Sequence, residues 1–480
     1  MRKKLLGTIA AMTAGAGAAF AQAPGSPVPP APAAVAPFGG YDGLMPTNHV
    51  DPIPPPIGPG GDAGFPGGFP GGMPGGMPGG DPTGAPGYPP PGLYGQPRWE
   101  TQTPRWATRP VAPHVWWSGD YLLNFVKAQP AAIPFVTTSA PADGGVPGNP
   151  TTQVLHSTSN LGYNVVSGFR ISGGFFCDQC QRWGVEATGF ALERGENTFT
   201  AQSDTTGQPL LARPFINAAT GLPSVVLVTF PNFAAGVVNV NSTSRSYGAD
   251  GGPIVNLFRS EPGGGCLYAV NLTTGFQFLE VNETLNLTSQ STLLRGATAT
   301  VDGKTYASPA IIGVNDGFET LNRFYGGAIG LSGQVAYCNW LLSASAKVGL
   351  GVMNQRVDIA GSSTVTDVTR NIVSTVPGGV FANATNSGRF NNDEFAAIPQ
   401  ITASLGYNWT SWFTTTIGYN GLYTTRVVRP GSQFSTTVNP GVIPTSPSYG
   451  FGGAIPVANP LFTQDDFWIQ GVTFGFQLRY

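Results

Sequence analysis

The sequence has few charged residues and, once its first residues are passed, no long apolar run. Charged residues make up 10% of the 480 positions and the formal net charge is −2, whereas about 25% charge is usual in soluble domains. No basic field is present to attract a nucleic acid. A helix that crosses a bilayer needs about 20 consecutive apolar residues, and no such run follows Ala21. The sequence therefore predicts neither a nucleic-acid partner nor a helical membrane span in the mature chain.

Cysteine is also scarce. The chain has four cysteines, which are too few for a disulfide scaffold in a chain of this length. Cys177 and Cys180 have the spacing of a redox or zinc half-site, which Cys266 and Cys338 would complete. The strand–helix context of a thioredoxin-like site is missing, so disulfides formed after export are the favoured interpretation. We predict the bridges Cys177–Cys180 and Cys266–Cys338, with no metal and no cofactor.

The first residues have the features of a secretory signal. Arg2, Lys3 and Lys4 precede an apolar stretch over residues 5–20 that is rich in alanine and glycine. Small residues at Ala19 and Ala21 occupy the positions that a signal peptidase recognises. We predict a signal peptide over residues 1–21, with an uncleaved N-terminal anchor as the alternative.

Residues 22–113 form a low-complexity leader with more than half of the chain's 45 prolines. The leader contains the four-residue repeat Phe65-Pro-Gly-Gly, Phe69-Pro-Gly-Gly, Met73-Pro-Gly-Gly, Met77-Pro-Gly-Gly. A period of four excludes a collagen helix, which needs glycine at every third position. Such a composition cannot build a core. We predict a disordered periplasmic tether that acts as a flexible spacer. Contact with peptidoglycan is the second candidate role.

From about Val115 onward, apolar and polar residues alternate with a period of two. Tyr121, Leu123 and Phe125, for example, fall on one face, opposite Asp120 and Asn124. The alternation is weakest in the segment near residues 243–258, which Pro253 interrupts. Ten segments of this kind lie near residues 115–125, 161–172, 183–191, 243–258, 268–278, 325–337, 340–352, 395–409, 413–423 and 468–480. The alternation predicts strands with one face toward lipid and the other toward a lumen.

The connections between these segments alternate in length. Short turns are predicted near 177–181, 261–265, 338–339 and 410–411, and each of the other five connections has roughly 25 to 50 residues. Short periplasmic turns and long outer loops are typical of membrane barrels. Tryptophans near the short turns predict an aromatic girdle there, and Trp468 falls near the opposite rim. The girdle residues are Trp116, Trp117, Trp183, Trp340, Trp409 and Trp412.

The chain ends with alternating apolar residues and a final aromatic, Phe474, Phe476, Leu478 and Tyr480. This ending resembles the terminal signal that the outer-membrane assembly machinery recognises. Backbone polar groups in hydrocarbon must be paired internally, so strands cross a bilayer only as a closed ring. We predict an all-β fold over residues 114–480, a transmembrane antiparallel up-and-down β-barrel of about ten strands. It would lie in the outer membrane, in contact with outer-membrane lipid.

Several stretches of the predicted barrel form a recognisable set. They are Gly119–Leu123, Gly275–Phe278 with Glu280 and Glu283, Asn322–Gly327, Lys347–Gly351, Gly418–Asn420, Arg426–Gly431, Phe467–Gly471 and the aromatic terminus. Together they resemble a known family, the seventh group of outer-membrane β-barrel porins. The resemblance spans almost the whole predicted barrel but not the leader, and it implies a barrel and a channel.

The presumed lumen face carries charges of both signs and many glycines. The charges are expected to form either a plug of ion pairs or a selectivity ring around a wet path. The glycines either leave a narrow water path or relieve crowding where the sheet bends. The lumen charge candidates are Asp120, Arg170, Arg182, Glu186 and Lys347. In the longest outer loop, the apolar stretch Val225–Phe230 is expected to form a hairpin above the rim or to fold inward as a constriction.

We predict a narrow passive channel with five long external loops. The alternative is a structural or adhesive barrel that displays these loops and has no open pore. An enzyme is a third class, but of the three histidines only His156, with Asp143 nearby in sequence, falls in an outer loop. A lone loop histidine is far more often solvated than catalytic, so no enzyme is predicted.

Overall fold

The computed structural model describes residues 114–130, 134–157, 161–260, 266–451 and 462–480. The predicted signal peptide and tether lie outside these residues. The described chain is mostly β-structure, with short 3-10 helices over Pro141–Asp143, Pro430–Gln433 and Pro440–Val442. No helix within the described ranges is both long enough and apolar enough to cross a membrane.

Ten antiparallel strands, β1 to β10 in chain order, form a closed ring. Each pairs with the strand before it and the strand after it, and β10 pairs with β1 from Trp116↔Arg479 to Val126↔Ile469. The strands are β1 (Val115–Val126), β2 (Val166–Phe176), β3 (Trp183–Leu192), β4 (Ala234–Arg259), β5 (Cys266–Leu293), β6 (Ala310–Tyr337), β7 (Trp340–Asp367), β8 (Gly388–Asn408), β9 (Phe413–Val428) and β10 (Gln464–Arg479). A closed ring pairs the backbone without an open edge. The predicted all-β antiparallel barrel of about ten strands is confirmed.

Short and long connections alternate around the ring. Residues 177–182, 338–339 and 409–412 join β2–β3, β6–β7 and β8–β9, and they define the short-turn end of the barrel. The predicted turn at 261–265 lies outside the described residues. The opposite end is the long-loop end. There the β5–β6 connection (294–309) and the β7–β8 connection (368–387) are shorter than predicted, because the strands themselves continue farther.

Side chains on the ring alternate between the lumen and the outside, as the sequence period predicts. On β1, Tyr121 and Phe125 point outward and are more than half exposed, while Leu122 and Asn124 point inward and are 2% and 1% exposed. On β5 the outward apolar band runs from Tyr268 to Phe278. At the usual rise and tilt of membrane strands, this stretch covers about 25 Å along the barrel axis, which matches the apolar band of membrane barrels.

Aromatic side chains mark both edges of the outward band. Trp117, Trp183, Trp340, Trp409 and Trp412 are exposed near the short-turn end. At the other edge Tyr247, Phe278 and Tyr325 form a row across β4, β5 and β6, with ring centroids 6.0 and 5.3 Å apart. These two rows suit the lipid headgroup levels.

Trp116 does not belong to the girdle, and its prediction there is wrong. The residue occupies an inward position of β1, and its ring packs 5.6 Å from that of Phe176. Ile254 completes this small apolar cluster inside the short-turn end. Neighbouring residues of a strand point to opposite faces, so only one of Trp116 and Trp117 can face the lipid.

The strands β4 to β7 are 26 to 28 residues long and continue far beyond the outward band. Along them the apolar face switches sides. On β5 it points outward up to Phe278 and inward from Leu279, and on β7 it switches between Val352 and Met353. Outward positions beyond the switch are polar, for example Asn286. The switch therefore marks the level where the surroundings change from lipid to water.

The extended parts of β4 to β7 surround a folded cap at the long-loop end. A five-stranded sheet of the cap consists of Val136–Thr138, Gln153–His156, Leu211–Asn217, Pro223–Thr229 and Thr437–Val438. Outside this sheet, Gly195–Gln202 pairs with β4, Ile372–Pro377 pairs with β7, and Thr298–Val301 pairs with Lys304–Ala307. The apolar stretch Val225–Phe230 falls largely in the strand Pro223–Thr229, which forms a hairpin with Leu211–Asn217. Its Val228 is buried in the cap core.

All four cysteines are exposed and free, so the two predicted disulfides are absent from this structure. Cys177 and Cys180 lie in the β2–β3 turn. In the β5–β6 register Cys266 pairs with Tyr337 rather than with Cys338. Cys338 occupies the following turn position with a φ of 53°. This shift of one residue leaves Cys266 and Cys338 out of register with each other.

Candidate functional site

The lumen holds a polar cavity of about 270 Å³ in the short-turn half of the barrel. It extends from Trp116 and Gln477 near the rim to Leu122, Leu422 and Ile469 deeper inside. Serines, threonines, asparagines and glutamines from most of the strands line its wall, because inward positions of a barrel face one another across the lumen. The cavity is therefore the candidate site for a solute or a partner segment.

Charged side chains in this cavity pair with each other. Arg170 Nη2 lies 2.9 Å from Asp120 Oδ2, across the β1–β2 register. Lys347 Nζ lies 3.1 Å from Glu186 and 2.8 Å from Asp250. Ions in such a low-dielectric lumen need partners of opposite sign. The two Lys347 pairs reach across the lumen, from β7 to β3 and β4.

Four of the five predicted lumen charges thus come together, and the fifth does not. Arg182 is exposed in the β2–β3 turn, where its backbone N–H donates to Asp178. Asp250, which the sequence analysis missed, takes part instead. It lies in the segment interrupted by Pro253, where the alternation was weakest. Asp250 lies two residues from each of the inward glycines Gly248 and Gly252. This spacing could have identified it as an inward residue.

Inward glycines provide room for large lumen side chains. A methyl group on Gly475 would overlap the carboxylate of Asp120, and one on Gly349 would overlap the amide of Gln277. The space beside these glycines is therefore occupied by neighbouring side chains. This arrangement agrees with glycine relieving crowding rather than with a glycine-lined water path.

An apolar layer fills the lumen above the cavity, at the level where the apolar face switches sides. Nine of the ten strands contribute to this one buried cluster, together with Tyr163 from the β1–β2 connection. Its members are Leu122, Val126, Tyr163, Val166, Leu192, Leu279, Val281, Phe324, Met353, Ala396, Ile398, Leu422, Val427, Phe467 and Ile469. Burial of each large apolar side chain stabilises the fold by about 1.5–3 kcal/mol. The polar cavity ends at this layer.

A buried ion pair joins the barrel to the cap just beyond the apolar layer. Arg429 and Glu283 are both fully buried and form two hydrogen bonds of 2.8 Å. Arg429 also donates to the carbonyl oxygens of Ala128 and Lys127, at 2.6 and 2.9 Å. A bidentate pair with further hydrogen bonds has the geometry that offsets the desolvation of two buried ions. One guanidinium thereby joins three chain segments.

A second buried pair holds the cap together. Arg213 of the cap hairpin contacts Asp316 of β6 at 2.5 Å, and both side chains are fully buried. Asp316 also accepts hydrogen bonds from the backbone N–H groups of Val380, Phe381 and Ala382. The pair lies beside an apolar core made by inward side chains of β4 to β7 and by the cap segments. The long connections are therefore folded inside the extended wall.

Several of the stretches that carry the family resemblance meet in this region. Asn322 exchanges two hydrogen bonds with the backbone of Val428, at 2.8 and 2.9 Å. Gln355 donates to the carbonyl of Arg426 at 2.7 Å. Phe467 belongs to the apolar layer and lies 5.4 Å from the guanidinium of Arg429. Some of the resembling residues thus join the barrel to the cap.

His156, the candidate for a catalytic role, is buried in the cap. Its ring stacks on Phe199 with centroids 4.5 Å apart and lies 6.0 Å from that of Phe135. Burial lowers the pKa of His156 below its ordinary value. Asp143 is exposed and accepts a hydrogen bond from the backbone of Thr151. Within the described ranges, no group of three or more His, Cys, Asp or Glu residues is placed to hold a metal ion.

The terminal residues occupy the closing strand of the ring. Phe474, Phe476 and Leu478 point outward on β10, and the first two are 46% and 44% exposed. Tyr480 follows the strand and exchanges backbone hydrogen bonds of 2.8 and 3.1 Å with Val115. These residues are therefore both lipid-facing and next to the seam that closes the barrel.

A family model described as "Putative beta barrel porin-7" matches residues 116–480 of the chain. No curated protein matches. Among solved structures, the outer membrane protease OmpT from Escherichia coli is 10% identical, with 76% of this chain and 96% of that chain covered and a TM-score of 0.29. The toluene transporter TodX from P. putida is 7% identical, with coverage of 76% and 90% and a TM-score of 0.18. OmpT of Vibrio cholerae is 9% identical, with coverage of 76% and 97% and a TM-score of 0.11.

Proposed function

The chain belongs to the family described as putative beta barrel porin-7, and we propose that it is an outer-membrane barrel with a closed resting lumen that displays the cap on the cell surface. The apolar layer is the observation that carries this proposal. Fifteen side chains form one buried cluster across the lumen, and each is at most 9% exposed. An apolar constriction of this kind excludes water and therefore ions.

The lumen charges support the same conclusion. Each cation of the cavity contacts at least one carboxylate within 3.1 Å. A side chain held in such a pair is not available to attract a passing ion. The pairs therefore act as a plug of ion pairs rather than as a selectivity ring, which were the two alternatives that the sequence left open.

The proposed orientation follows from the predicted export signal. Cleavage after Ala21 would leave the leader in the periplasm, with the short-turn end beside it and the cap outside. The leader would act as a tether, in contact with peptidoglycan. Phe474, Phe476, Leu478 and Tyr480 would be recognised by the assembly machinery before the ring closes.

A narrow passive channel is the second candidate, and the polar cavity is the observation that favours it. The cavity reaches the apolar layer from the short-turn end. A path through the lumen would then need only displacement of this layer and of the cap segments above it. The family's name points to the same activity.

Solute entry into proteoliposomes distinguishes the two candidates. We expect vesicles that contain the purified, folded full-length protein to swell no faster than protein-free vesicles in an isotonic monosaccharide solution. An open porin reconstituted at the same density provides the positive control. Swelling at the rate of that control would overturn the closed-lumen proposal and favour the channel.

A further inference from the structure

The leader carries positive charge only next to the barrel. Between residues 22 and 113, all Lys and Arg residues are Arg98, Arg105 and Arg109, and the only acidic residue in the range 97–113 is Glu100. Three arginines against one glutamate give this segment an excess of two positive charges. We propose that residues 97–113 of the leader dock in the polar cavity of the lumen, with Arg109 on the Glu186–Asp250 side.

The cavity has the complementary charge. Asp120 and Arg170 neutralise each other, at 2.9 Å. Lys347 is a single ammonium group between two carboxylates, those of Glu186 and Asp250. One negative charge therefore remains on that side of the lumen. In a site screened little by solvent, such an excess attracts a cation.

The cavity also contains polar groups that have no protein partner among the described residues. Both amide atoms of Asn124 lack a hydrogen bond although the residue is 1% exposed. The side-chain oxygens of Asn420 and Gln334 lack one as well, and all three residues line the cavity. Leaving such a group unsatisfied costs about 1–3 kcal/mol. A peptide segment offers both N–H donors and carbonyl acceptors, so it meets this need.

The chain enters the ring where the docking would occur. His114 precedes β1 at the short-turn end, and its carbonyl accepts a hydrogen bond of 2.8 Å from Phe176 N–H. Arg109 comes five residues earlier, which an extended chain spans in about 17 Å. Asp120 lies six residues along β1 from His114, about 20 Å along the strand and less along the tilted axis. The chain is therefore long enough to bring the Arg109 guanidinium to the level of the charged side chains.

The cavity volume limits what enters. Its 270 Å³ correspond to about nine water molecules at about 30 Å³ each. This space suits one arginine side chain and the adjoining backbone rather than the whole segment. Arg98 and Arg105 are then left nearer the rim. The docking goes beyond the proposed function, since it concerns the periplasmic side of a barrel that is closed elsewhere.

Photo-crosslinking in the full-length, folded protein tests the docking. Benzoylphenylalanine replaces Trp106, an aromatic residue of the segment, and the crosslinked peptides are identified by mass spectrometry. We expect crosslinks to inward residues of the cavity wall, such as Ser343, Ser345 and Thr402. The same probe in place of Tyr88, outside the basic segment, should give at least fivefold less of these products.

Two further variants test the electrostatic cause. Arg109→Ser leaves the described barrel untouched, and Glu186→Gln removes the excess charge while Asp250 still pairs with Lys347. Each should lower the cavity crosslinks at least fivefold, whereas Glu319→Gln on the outward face should not. Crosslinks to lipid or to lipid-facing side chains would overturn the proposal, and so would cavity crosslinks that neither variant lowers.

Discussion

Arg429 joins the barrel to the cap through its guanidinium group. Its guanidinium is fully buried, pairs with Glu283 and donates to two carbonyl oxygens of the β1–β2 connection. Removing one partner of such a pair leaves the other ion buried without compensation, and the usual cost is about 3–5 kcal/mol. The same removal would free the carbonyl oxygens of Lys127 and Ala128.

We predict that Arg429→Met lowers the free energy of unfolding by about 3–5 kcal/mol. The double variant Arg429→Met/Glu283→Leu should recover part of the loss, because no unpaired ion remains. Urea unfolding in lipid vesicles, followed by tryptophan fluorescence, measures both. A single variant as stable as the wild type would show that the pair does not support the junction.

His156 gives the cap a predictable pH dependence. Both ring nitrogens are buried without a partner among the described residues, and burial lowers the pKa of His156. The folded cap thus favours the neutral ring, while the unfolded chain binds protons near the ordinary pKa of about 6.5. The stabilisation is complete above this ordinary value and is lost as the pH falls below it.

We predict faster proteolysis of the cap at pH 5 than at pH 7.5, measured with a protease active at both. His156→Phe keeps the stack on Phe199 but has no proton to bind, so the pH effect should disappear. The matched control is His114→Asn, at the opposite end of the barrel, which should leave the effect unchanged. Equal pH dependence of wild type and His156→Phe would contradict this account.

At the scale of elements, the long strands have two environments along their length. Leu331 lies in the middle of the outward band of β6 and is 51% exposed. Asn286 points outward on β5 beyond the switch of the apolar face. A charge in the middle of a lipid-facing band costs about 2–4 kcal/mol, and the cost falls to about 0–1 kcal/mol near the interface.

We therefore predict that Leu331→Arg lowers the free energy of unfolding in lipid by about 2–4 kcal/mol, whereas Asn286→Arg changes it by less than about 1 kcal/mol. Reversible folding into vesicles measures both variants under one condition. Similar costs at the two positions would mean that the lipid boundary does not lie at the switch.

The same switch explains what the sequence predicted and what it missed. Ten strands were predictable because lipid outside and a polar lumen inside impose a strict alternation. Beyond Phe278 and Val352 the apolar residues move to the inward face, since water lies outside and the cap inside. The alternation continues there with its faces exchanged, so a search for lipid-facing apolar residues ends at the membrane boundary. The extended strands were consequently assigned to loops.

The site was predictable only in part, for a related reason. The alternation of inward and outward side chains placed Asp120, Arg170, Glu186 and Lys347 correctly, because it is a local property of each strand. Arg182 falls on the same alternate positions but lies in the β2–β3 turn, where the alternation no longer determines which way a side chain points. The pairing of Arg429 with Glu283 joins residues 146 positions apart. Such a contact depends on the path of the long connections, which a period of two does not describe.

On the scale of the whole molecule, three levels follow one another through the ring. A polar cavity with paired charges opens toward the short-turn end, an apolar layer crosses the lumen, and a cap with its own core fills the long-loop end. Each level has the composition that its surroundings require. Within the described chain, the middle level separates the polar cavity from the cap.

Single-channel recording in a planar bilayer tests this closure most directly. Folded full-length protein is added in 1 M KCl, and the current is followed at voltages of both signs. We predict no discrete conductance steps, because ions cannot cross the apolar layer. Reproducible steps that change in size in the variant Phe324→Ala/Met353→Ala, but not in the lipid-facing control Phe276→Ala, would contradict the account by showing an ion path through that layer.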